Sequence, residues 1–173
     1  MKLLLSKPFN LVAFNLMWLG CVLGREQLLW LVAPLVLAYL TLLVANGILL
    51  MQQLFLPAAI GITVDLVLTL LGFFAFDTSA VLLPAWLIVL WLAFSSTLNL
   101  SLSVFQSKIS LAVVAGAVAF PVNYAVGQRL GAVEFPQSDS ITLLILALIW
   151  AALLPLLFRV SQRRFAQTLQ AGS

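Results

Sequence analysis

Histidine is missing from all 173 residues, and cysteine occurs once, as Cys21. The first absence removes the commonest transition-metal ligand and the side chain that titrates most readily near neutrality, and the second removes any intrachain disulfide. No metal centre and no cofactor is expected, and much acid–base and nucleophilic chemistry goes with them. Charge is scarce as well: eight Lys and Arg against five Asp and Glu make up 8 % of the chain, with a net charge of +3. The basic residues form no stripe interleaved with aromatics, so no nucleic acid is expected as a partner. With 64 % of its residues apolar, a chain this poor in charge cannot cover a water-soluble domain, and lipid is the expected solvent.

What is present is a succession of apolar runs, at residues 8–24, 28–50, 54–76, 83–105, 109–131 and 141–159. Each is close to the ~20 residues that a helix needs to cross the hydrocarbon layer. In lipid a run must satisfy its own backbone amides, and none alternates apolar and polar residues as a membrane barrel strand does. The expected fold is therefore all-α: one polytopic transmembrane helix bundle of about six spans over residues 1–173. Short connections at 24–27, 52–53, 77–79, 106–108 and 134–140 predict antiparallel neighbours.

Orientation follows from the basic residues. Lys2, Lys7, Lys108, Arg159, Arg163 and Arg164 fall on one side, Arg25 and Arg129 on the other, which predicts both termini inside. Glu26, Asp77, Glu134 and Asp139 all fall on the outer side. The expected location is a bacterial inner (cytoplasmic) membrane, crossed several times. Lys2 and Lys7 ahead of Leu19, Gly20 and Cys21 resemble a lipoprotein signal. Bulky Trp18 and the continuation through Arg25 into a second apolar run favour an uncleaved first helix with a buried thiol. The first three runs and the last three show no convincing repeat.

Polar residues inside the runs are few. Asp65 falls at the centre of the third expected span, and at 100° per residue Gly61, Asp65, Thr69 and Gly72 share a face. A carboxyl at that depth must point into protein, and needs a cation or several donors to remain ionised. Asn15 in the first span, and Ser95, Ser96, Asn99 and Ser103 on one side of the fourth, are its candidate partners. Ala112, Gly116, Ala119, Asn123 and Gly127 form a small-residue seam on the fifth. These faces predict that the third, fourth and fifth helices assemble around a polar site of Asp65, Asn15, Asn99 and Asn123. A lone membrane Asn or Ser more often serves as glue between helices, whereas for Asp65 glue and function are evenly balanced.

A second candidate lies beyond Pro121, where Tyr124, Arg129 and Glu134 could form a ligand site at the outer surface. The plainer reading has Arg129 reaching headgroups or Glu134. Trp18, Trp30, Trp86, Trp91 and Trp150 read as packing or interface anchors. No residue can be assigned a catalytic role.

The segments MWLGCVLGRE at 17–26, IGITVD at 60–65, PAWLIVLWLAF at 84–94 and PVNYAVGQRLGAVEF at 121–135 carry a resemblance along nearly the whole chain. It resembles a family of small bacterial inner-membrane proteins catalogued only as a domain of unknown function. Where that family often has Gly before the proline, this chain has Phe120. The resemblance implies no activity, cofactor or catalytic residue. Some members are encoded beside enzymes resembling cyclopropane-fatty-acid synthases and flavin-dependent oxidoreductases, which implies a role near membrane-lipid modification or stress response.

Three functional readings follow. The first is a non-catalytic partner that binds membrane lipid and works with other inner-membrane or lipid-modifying proteins. The second is a small transporter or channel with Asp65 in its polar route, where a homo-oligomer would supply further sites. The third, ranked last, is a lipid-acting enzyme using Arg129 on a phosphate and Glu26, Asp77 or Glu134 as acid or base.

Overall fold

The computed structural model describes residues 3–77 and 82–171, with side chains as far as Gln162. Lys2 and Ser79 lie outside the described residues, as do the side chains of Arg163 and Arg164. Six α-helices follow one another: α1 Lys7–Gly24, α2 Leu29–Ala45, α3 Met51–Leu70, α4 Ala85–Asn99, α5 Ile109–Arg129 and α6 Asp139–Ala171. A short 3-10 helix, Ser101–Phe105, continues from α4. Among the described residues there is no strand, and Ala75 and Glu134 form an isolated antiparallel bridge. Among the described residues three helices are long and apolar enough to cross a membrane: Met51–Leu70, Ile109–Arg129 and the Asp139–Gln162 part of α6. These suggest a membrane protein. Helices α2 and α4 are apolar but shorter, at 17 and 15 residues.

Local chemistry sets the helix ends. Ser6 caps α1 by accepting the Phe9 amide at 3.3 Å, with Pro8 in the first turn where a missing N–H costs nothing. Helix α2 stops at Asn46 and Gly47, the glycine taking a positive φ of 68°. The turn expected at 52–53 therefore lies at 46–50. Gln53 instead helps start α3, its Oε1 accepting the Leu50 amide at 2.9 Å. Apolar residues on both sides of Gly47 hide this turn from a hydropathy reading. Helix α3 ends at Leu70, and Gly72, with φ 77°, carries the chain away. Asp65 consequently lies in the last third of its helix instead of its centre, roughly 7 Å from the end at 1.5 Å per residue.

Helix α4 is the axis of the bundle. From Trp91 to Leu98 only Leu92 is not fully buried, as a helix enclosed by neighbours requires. It packs on α1, α2, α3 and α6, while α5 packs most extensively on α6. The third and fourth helices pack together as expected, but the fifth makes no extensive contact with either and joins them through α6, which packs on both α3 and α5. Gly116 explains the close approach of the last two: a Cβ there would collide with the Trp150 carbonyl oxygen.

Three connections meet at one end of the bundle. Arg25 Nη2 donates to the Leu130 carbonyl at 2.8 Å, and Glu26 Oε1 accepts the Ala85 amide at 2.9 Å, capping α4 from the α1–α2 turn. Ala75 and Glu134 exchange backbone bonds of 3.0 and 2.8 Å. At the opposite end Gln53 Nε2 donates to the Ser161 carbonyl at 3.3 Å, and Asn99 Nδ2 donates to Ser161 Oγ.

Candidate functional site

Asp65 is 1 % exposed and has two donors. The Trp91 indole N–H donates to Oδ2 at 2.6 Å, and the Tyr124 hydroxyl donates to Oδ1 at 2.7 Å. Gly61, one turn earlier on α3, makes room for this arrangement, because a Cβ there would enter the Trp91 ring. The Trp91 ring lies parallel to Trp150, with centroids 5.7 Å apart and planes 1° from parallel, and Phe120 stacks on the far face of the cluster, 3.7 Å from Trp150. Tyr124 stacks on buried Phe74 at 5.2 Å. Phe120, just before Pro121, thus extends an aromatic stack.

Beside this cluster runs a groove of about 350 Å³, flanked by α1 and α5 and floored by α4. Trp18, Trp86, Trp91, Phe94, Tyr124 and Trp150 supply much of its wall. Small Ala115 and Ala119 on α5 leave the space open. The wall is apolar apart from a few groups, among them Asn15 from α1 and Asn123 from α5. Asn15 bonds its own helix, Nδ2 donating to the Leu11 carbonyl at 2.8 Å, and both amides are exposed. Asp65 stands behind Trp91 and Tyr124, outside the lining.

The four polar residues expected to share a site are therefore distributed over three places. Asn15 and Asn123 face the groove, Asp65 is sealed behind it, and Asn99 belongs to the Ser161 and Gln106 cluster at the opposite end. Of the outer-surface trio, Tyr124 turns to Asp65, while Arg129 and Glu134 are both exposed. Arg25, and not Arg129, reaches across to the α5–α6 turn. The seam on α5 divides too: Ala112 and Gly116 are buried, whereas Ala119 and Asn123 line the groove.

Sequence reasoning missed Asn10, which is wholly buried. Its Nδ2 donates to Tyr39 Oη at 3.3 Å and Ser96 Oγ at 3.0 Å, and its Oδ1 accepts from the Ser101 hydroxyl at 2.8 Å. One amide ties α1 to α2, α4 and the 3-10 helix. It stands near the start of the first apolar run, where hydropathy alone does not distinguish a buried amide from one at the membrane surface.

Chemically, a carboxyl enclosed by two neutral donors presents no free oxygen to a ligand in the groove. No group of three or more His, Cys, Asp or Glu able to hold a metal ion occurs among the described residues. A family model described as "Protein of unknown function (DUF2878)" matches residues 7–156. No curated protein and no solved structure matches the chain.

Proposed function

The chain belongs to this family of unknown function, and because membership assigns no chemistry, we propose from the groove that the protein is a non-catalytic, membrane-embedded lipid-binding partner of lipid-modifying proteins. The groove carries the reading. Its volume of about 350 Å³ lies within the ~300–1,000 Å³ typical of ligand sites. Its length suits a hydrocarbon chain: Trp86 to Thr97 on α4 spans roughly 16 Å at the helical rise, about half the thickness of a bilayer core. An aromatic, nearly uncharged wall favours an acyl or similar chain over a solute.

In this proposal the chain crosses the inner membrane of a bacterium six times, with both ends in the cytoplasm. The basic-residue asymmetry supports that orientation. The 3-10 helix supports the number of crossings, since it adds five residues beyond Leu100 to the short fourth helix. The end of the bundle that carries Arg25, Glu26 and Glu134 then faces outward.

Replacing Ala119 by Trp tests the reading by filling the groove from α5. The protein is purified gently and its retained lipid weighed by mass spectrometry. The variant is expected to keep its thermal stability in detergent and lose most of the lipid held by the parent. Equal retention by both, at equal stability, would refute it.

One observation favours a second reading, in which Asp65 serves a proton-coupled route: Tyr124 both lines the groove and bonds to Asp65. A pH-dependent flux in proteoliposomes that disappears in Asp65→Asn would support it over lipid binding alone.

A further inference from the structure

At the end of the groove where the three connections meet, the wall is made by Val22 of α1, Phe76, Trp86 at the start of α4, and Ala132 and Val133 of the α5–α6 turn. Arg25 stands next to this end of the groove, outside its lining. It follows Val22 by three residues, and its guanidinium is bonded to the turn that supplies Ala132 and Val133. Here α1 and α5 end and α4 begins, which is the depth at which lipid headgroups lie beside a spanning helix.

Three features set Arg25 apart. It is the non-glycine residue with a positive φ among the described residues, at 46°, a conformation that is held only when its surroundings demand it. The turn opposite passes close to it, since a Cβ on Gly131 would lie 2.7 Å from Nη2. Among the described residues no carboxylate pairs with it. Of its five N–H donors, one bonds the Leu130 carbonyl, and the buried Nε meets no acceptor among the described residues. The adjacent acid, Glu26, is already engaged with the Ala85 amide at the start of α4. A guanidinium with further N–H donors beside the end of an apolar groove is complementary to a lipid with a phosphate at its head, which accepts several N–H groups in a fork.

We infer that the groove takes a glycerophospholipid, with its tail along α4 between α1 and α5 and its headgroup phosphate on Arg25. This rests on the groove being a lipid site and adds the class of lipid. Free phosphate lacks the tail, and a neutral diacylglycerol lacks the phosphate.

Tryptophan emission can read occupancy, because Trp18, Trp86, Trp91 and Trp150 all line the groove. The full chain in a neutral detergent is titrated with phosphatidylglycerol brominated on its acyl chains, and in parallel with a diacylglycerol brominated identically. The phospholipid is expected to quench at about a tenfold lower mole fraction, in keeping with one charge-assisted contact. In Arg25→Gln that advantage should vanish while quenching by diacylglycerol is retained, and Arg25→Lys should recover part of it. Millimolar inorganic phosphate should not relieve the quenching. Equal quenching of the parent by both lipids would overturn the inference and leave the groove as a site for chains in general. Full phospholipid advantage in a folded Arg25→Gln would do the same, and relief by inorganic phosphate would make Arg25 a site for the free anion. If neither brominated lipid quenches, the lipid reading of the groove falls, and the phosphate inference falls with it. Should Arg25→Gln not fold, the comparison of the two lipids on the parent still decides.

Discussion

Trp91 and Tyr124 each give Asp65 one hydrogen bond, so replacing the carboxyl by Leu leaves two donors stranded among aromatic rings. The Trp91 N–H cannot turn elsewhere, although the Tyr124 hydroxyl can rotate, and the loss is expected to be about 2–4 kcal/mol in an unfolding titration in detergent. Asp65→Asn should lose far less, because the amide oxygen can accept the indole N–H while its NH2 donates to Tyr124 Oη. An amide cannot titrate. Full rescue of a deletion phenotype by Asp65→Asn across the usable pH range would therefore mark the carboxyl as a structural clasp. Two glycines on α5 provide a paired test of packing. Gly116→Leu pushes a side chain into the Trp150 backbone and should lower the melting temperature sharply. Gly127→Leu should cost little, since the nearest atom to a Cβ there is a Val133 methyl at 3.9 Å.

Helices show what a sequence can and cannot convey in this protein. Each apolar run became a helix because the backbone in such a run can bond only to itself, and the inward face of α3 was legible from the spacing of Gly61 and Asp65. The partners of that face were not. Trp91 reads as an apolar anchor, and its single N–H is invisible until the ring is placed. Trp150 and the neighbouring positions of α6 carry no polar mark at all, so nothing indicated that α6 would sit between α3 and α5. Asn10 shows the same gap at the scale of an element. Without its amide, α1 loses bonds to α2, α4 and the 3-10 helix together. Asn10→Leu is expected to cost about 2–3 kcal/mol, and cysteine pairs placed across α1 and α4 should then crosslink less uniformly. Ser96→Ala, which removes one of those acceptors, should cost about 1 kcal/mol.

The molecule as a whole has one laced end and one open flank. If the Arg25 end faces outward, a reporter active only outside the cytoplasm should work when fused at Ser138 and be silent at Gly47 or Lys108. Activity at Lys108 would reverse or break the six-span arrangement. The open flank follows from the packing: α1 rests on α2 and α4, α5 rests on α6, and no substantial contact closes the space between α1 and α5. Leu11, Asn15, Ala119 and Asn123 line the groove while remaining exposed. A molecule already dissolved in the bilayer could slide in sideways without any helix moving and leave the same way. Occupancy would then track the composition of the surrounding leaflet, rising and falling with the abundance of its guest. If the groove is a lipid site, it needs no gate, and its occupancy follows a change in the membrane as fast as lipids exchange neighbours.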